Sequence, residues 1–256
     1  MKYNVHSHPQ NGYPQKKTKL VQEFDQLAKL RKPLAEAFED HGFEHLEYGL
    51  FTRQGEMNLY IQFIDFLVSR IAPAYGGTSQ VQALTTLLEN AGSKWRVGSR
   101  LGNVGLEERV PIGVVAAADA LMHGPGQAGA LLAEAWQAAF GVNPDFEKAY
   151  AKSIKAVEAA AIPVVSPTNA SATLGTVVGQ MRQQGDWNLD MSREHATHTR
   201  SHVVLGMVQM LWTGQNDRHA GQAGYQPSTQ AEAEAAVMLA VPLVQWFSSG
   251  AIQRRP

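Results

Sequence analysis

The sequence predicts a mainly α-helical protein with one small β-hairpin, and three observations carry that prediction. Apolar residues recur at three- and four-residue spacing in most segments between 20 and 247, the pattern of helices that bury one face. Strand-like texture occurs in one place, residues 93–110, around a loop bearing Gly98 and Gly102. Glycine and proline break the helical patterns at Pro73, Gly76-Gly77, Gly92, the run His123-Gly124-Pro125-Gly126, Pro163 and Gly185.

The order of elements follows from these breaks. Residues 1–18 are polar, carry Pro9, Gly12 and Pro14, and read as a flexible arm. Residues 19–123 read as a helical region. Leu20, Phe24, Leu27 and Leu30 form one stripe, and Leu34, Ala37 and Phe38 a second after Pro33. Short helices over 44–51 and 59–71 follow. A helix opened by Thr78 or Ser79 then turns Val81, Leu84, Leu87 and Leu88 inward. The hairpin at 93–110 is expected to be the molecule's sole sheet, and Pro111 to take the first position of the next helix. The run 123–126 is the expected domain boundary, with residues 124–256 forming a helical bundle.

Within that bundle, residues 126–250 are expected to contain no strand. Asn143-Pro144 opens a helix that ends before Pro163, a shorter one covers 171–182, and residues 185–198 form a polar loop. Thr229 and Glu232 make a capping box for the last helix, in which Pro242 sits. Trp136, Tyr150, Ile154, Val157, Leu174, Val208, Leu211, Val244 and Phe247 are the expected core.

Composition excludes several functions. The 256 residues carry a formal net charge of −1, so no strong field draws the chain to nucleic acid or an anionic membrane. There is no cysteine, which removes disulfides, thiolate catalysis and cysteine-ligated metals and fits a cytoplasmic protein. No apolar run approaches the roughly 20 residues of a membrane span, and the N-terminus lacks a signal-peptide core. Phosphate-binding glycine loops, nucleophile elbows and zinc-protease motifs are missing.

The residues with chemistry gather near the C-terminus. Two apolar helical patterns flank a polar corner, Asn216-Asp217-Arg218-His219. Histidine titrates near working pH and arginine clamps phosphate, a pairing suited to metal-free RNA cleavage. The competing reading has both side chains merely capping a helix C-terminus. Glu158, beside the apolar stripe of its helix, either orients such a pair or is a solvated carboxylate. Trp187 either stacks on a base, seals a dimer, or docks over its own bundle. His195, His198 and His202 have a spacing that one helix would place on one face, but the stretch follows a loop. No metal or cofactor is expected there.

Three motifs in order resemble the HEPN-like domains of bacterial abortive-infection proteins. They are Ser-Ile-Lys-Ala-Val-Glu at 153–158, Thr-Leu-Gly at 173–175, and Asn-Asp-Arg-His at 216–219, followed by the acidic-to-apolar helix from Ala231. The resemblance spans about residues 93–250. It implies a four- or five-helix bundle, a homodimer, and a metal-independent RNA endonuclease in phage defence. On that reading Arg218 and His219 are catalytic with Asp217 and Glu158, while Lys155, Asn216 and Trp187 contact RNA or a nucleotide. Arg218 and His219 are adjacent, whereas the usual signature separates them by four to six residues. The alternative is a non-catalytic HEPN module that dimerises or binds a nucleotide or RNA.

Overall fold

A computed structural model describes residues 59–74, 78–215 and 225–255. The expected N-terminal arm, the helices before residue 59 and the corner at 216–219 lie outside the described residues. The chain divides into two compact units after Ala74. Of the first unit, helix α1 (Leu59–Ala74) is described, with Phe63, Phe66 and Val68 buried. The turn at 123–126 is internal to the second unit, not its edge.

The second unit is mainly helical, as its periodicity predicts. It opens with α2 (Thr78–Asn90), in which Leu87 is 63% exposed and so does not belong to the inner face expected of it. Strands β1 (Trp95–Arg100) and β2 (Asn103–Glu108) then pair antiparallel, Trp95 opposite Glu108. Leu101 and Gly102 both have positive φ, as a two-residue hairpin turn that follows strand twist demands. Gly98 lies within β1, opposite Gly105, rather than in the loop, and a Cβ there would collide with the Glu107 carboxylate.

That carboxylate belongs to a buried ionic cluster that fastens the hairpin to the bundle. Arg100 donates to Glu107 at 2.7 Å and to Asp119 at 2.5 Å, and its guanidinium lies 5.2 Å from the centre of the Trp136 ring. Such a pair brings little net stability but costs several kcal/mol (about 3–5) when one partner is removed, which makes it a register lock.

Helices α3 (Ile112–Met122), α4 (Gln127–Phe140), α5 (Phe146–Val165), α6 (Leu174–Gln184), α7 (Arg200–Thr213) and α8 (Gln230–Ser248) build the bundle. The densest packing joins α5 to α4 and α8, with α3 on α4, α6 on α5, and α7 on α6. Alanines at 135, 149, 156, 161, 233 and 240 are fully buried, so these backbones approach closely. All nine expected core residues are buried, Trp136 and Val157 completely.

Several boundaries differ from expectation, each for a local reason. Asp145, not Asn143, caps α5, because its carboxylate accepts the Lys148 amide at 2.9 Å. The helix then runs through Pro163, whose missing N–H falls in the last turn, to Val165. Pro111 occupies the cap position of α3, one residue earlier than expected. For α6 the cap is a reciprocal box of Thr173 and Thr176, and Gly185 ends it in the left-handed region at φ 71. The Thr229–Glu232 box opens α8 as predicted.

The strand-free expectation for residues 126–250 fails at one point. Strand β3 (Trp187–Leu189) pairs antiparallel with β4 (Ile252–Arg254), Asn188 opposite Gln253. Three residues are too few to show alternation, and the partner lies more than 60 residues away. Arg254 bonds Asp186 and Arg255 bonds Asp190, so ionic contacts flank the ladder.

Candidate functional site

The outer face of α5 forms one wall of an open cleft of about 510 Å³. Glu147, Lys148, Ala151, Lys155 and Glu158 recur at one-, three- and four-residue steps, which a helix gathers on one side. Trp212 and Gln215, from the end of α7, form the other wall. That end is held close by small residues. A Cβ on Gly175 would stand 2.7 Å from the Trp212 ring, and one on Gly214 would strike the Tyr150 hydroxyl.

The charges in the cleft are not equivalent. Glu158 accepts the backbone N–H of Leu174 at 2.7 Å, so it serves the first turn of α6. Glu147 accepts a hydrogen bond from the Tyr225 hydroxyl. Lys148 and Lys155 are exposed, and neither has an ion-pair partner among the described residues. They lie seven residues apart on one face, roughly 10 Å along the axis. By contrast Lys152, on the neighbouring face, is paired with Glu134 at 2.5 Å.

The cleft also marks where the chain enters and leaves the polar corner. Gln215 on its wall is the last described residue before 216–224, and the first after it, Tyr225, bonds Glu147 on the opposite wall. Asn216, Asp217, Arg218 and His219 themselves are outside the described residues. Of the remaining candidates, Lys155 and Glu158 meet in this cleft and Trp187 does not. Trp187 is buried in β3 with its indole Nε1 donating to Gln184 at 2.5 Å, so it docks over its own bundle.

The histidine run separates. His195 Nδ1 accepts the amides of Thr197 and His198 at 3.2 and 3.3 Å, and the His195 and His198 rings stack 5.2 Å apart. His202 stands on α7 beyond the Thr199 cap. Among the described residues no three histidine, aspartate or glutamate side chains are gathered as metal ligands.

Lys148, Glu147, Trp212 and Gln215 escaped the sequence reading. A signal for the first two existed, since Lys148 and Lys155 share the polar side of α5 and Glu147 and Glu158 flank the Tyr150–Ala161 stripe. For Trp212 and Gln215 there was none, because their place depends on how α7 crosses α6.

Among the described residues no helix is long and apolar enough to cross a membrane. Comparisons with protein-family models, curated proteins and solved structures return no match.

Proposed function

We propose that the chain is an HEPN-like protein of the abortive-infection kind, a homodimeric, metal-independent RNA endonuclease in phage defence. Unpaired RNA lies along the α5–α7 cleft, and the Arg218–His219 corner supplies the chemistry. One observation carries this reading: the chain leaves for the corner at Gln215 and returns at Tyr225 beside one cleft, whose two lysines, without an ion-pair partner among the described residues, suit a phosphate backbone.

The chemistry assigns each group a task. His219 takes the proton of a ribose 2′-OH, and the freed oxygen attacks the adjacent phosphorus. Arg218 holds the charge that develops on the phosphate oxygens while the bond to the 5′ oxygen breaks. The products are a 2′,3′-cyclic phosphate and a 5′-hydroxyl. Asp217 orients the corner, Asn216 contacts the RNA, and Lys148 and Lys155 hold the flanking phosphates.

Cleavage of single-stranded RNA should persist in EDTA and leave the cyclic phosphate. His219→Ala and Arg218→Ala should each lose on the order of 10²-fold or more in rate. Lys148→Ala with Lys155→Ala should weaken RNA binding and flatten its salt dependence. Undiminished cleavage by the Arg218/His219 double variant would end this assignment. The second reading, a non-catalytic RNA- or nucleotide-binding module, is favoured by one observation. Glu158, the expected orienting carboxylate, is engaged with Leu174. That module would bind RNA through the same lysines and cleave none.

A further inference from the structure

A second cavity, at the other end of α7 and independent of the RNA reading, has a different chemistry. It encloses about 290 Å³ between the last turn of α6, β3 and the first turns of α7. Its floor is apolar and rigid. Trp187 and Met181 are buried, and the Trp187 indole is held in place by its bond to Gln184. Leu205 closes one side.

The rim supplies a guanidinium, an imidazole and a hydroxyl from Arg182, His202 and Ser201, and among the described residues no acidic side chain lines the cavity. Arg182 spans from α6 to α7 through one hydrogen bond, its Nη2 donating to Gln209 at 2.8 Å, which leaves further N–H donors on the same fork. His202 is exposed on the rim. This combination, a preformed apolar slot with a few convergent cationic and polar groups, is the anatomy of a small-ligand site, and its volume lies at the small end of the range.

We propose that this cavity binds a small organic anion with a planar apolar body, of the class of an aromatic monocarboxylate. The ring lies against Trp187, Met181 and Leu205. The carboxylate meets the Arg182 fork, with Ser201 and His202 as further donors.

Benzoate is the probe, followed by saturation-transfer NMR and calorimetry on the full chain. Benzoate should bind saturably, with Kd on the order of 1 mM or tighter. Benzyl alcohol, the same ring without the charge, should bind roughly tenfold more weakly or worse. Arg182→Gln, at an exposed position, should lose about as much, and Leu205→Trp should fill the slot and abolish binding. The Lys148/Lys155 double variant should leave benzoate binding unchanged, which separates this site from the RNA cleft. Non-saturating binding, equal affinity for benzyl alcohol, or wild-type affinity in Arg182→Gln would each overturn the proposal.

Discussion

The Glu158 carboxylate accepts the backbone N–H of Leu174 at 2.7 Å, so the Ala-Val-Glu turn of α5 caps the Thr-Leu-Gly turn of α6. With Thr173 accepting the Thr176 amide, two of the orphan donors at the start of α6 are satisfied, one from within and one from a neighbour. Glu158→Ala should therefore destabilise the fold by about 1–2 kcal/mol in urea denaturation, and Glu158→Gln, which keeps an acceptor oxygen, by roughly half that. If the unfolding midpoint stays put while RNA cleavage falls, Glu158 orients the corner instead.

Two glycines of α6 should respond in opposite directions to alanine. Gly175→Ala sets a methyl group 2.7 Å from a rigid indole carbon of Trp212, and should cost about 1–3 kcal/mol. Gly179 has nothing within 4 Å of its Cβ position, so Gly179→Ala should gain about 0.5–1 kcal/mol from lost chain entropy. Equal effects in thermal melts would mean that α7 does not sit on α6 as described.

Glu107 and Asp186 should give stability opposite pH dependences. Burial pushes the Glu107 carboxyl up from 4.5, against the pull of Arg100 and Arg96. The folded state then holds a proton that the unfolded chain has released. Its contribution is full below 4.5 and is lost as pH rises through the raised folded value. Against the non-titrating Glu107→Gln, the wild type should lose relative stability as pH climbs above 4.5 through the raised folded value. A flat difference would show that burial does not raise the Glu107 carboxyl above its ordinary range.

Asp186 runs the other way. Hydrogen bonds from Arg254 hold its carboxyl below 3.8, so its contribution is present above that value and fades as pH falls through the lowered folded one. Asp186→Asn should speed amide hydrogen exchange in β3 and β4 at neutral pH, where β4 keeps Ile252 fully buried. The wild type should approach the variant in strong acid only. Identical exchange at neutral pH would mean that side-chain packing alone holds the strand.

The proposed homodimer can be tested on an exposed apolar patch of α7. Val203 and Met210 on the solvent side of α7 are 51% and 59% exposed, with Gly206 between them on the same side. Light scattering should give twice the chain mass at tens of micromolar, and Met210→Glu should shift it to the monomer by burying an unpaired charge. A wild-type monomer at that concentration would remove the dimer from the proposal.

What the sequence determined by itself was local. Helical stripes such as Tyr150, Ile154, Val157 and Ala161 announce their buried face because side-chain direction repeats every 3.6 residues, whatever the helix packs on. The Thr229–Glu232 box was legible because both partners lie within one turn. The hairpin was legible because its strands are joined by a two-residue loop. The tertiary structure decided everything that depends on distant partners. Trp187 reads as a loop aromatic, and only the arrival of β4 makes it part of a strand and a buried floor. Glu158 reads as a solvated acid or an orienting one, and only the docking of α6 gives it Leu174 as partner. Lys148 and Lys155 gain a role as one wall of a cleft when Trp212 and Gln215 face them across it. Periodicity encodes which side of a helix is buried; it carries no record of what the other side will meet, because that depends on non-local contacts formed after the helices exist.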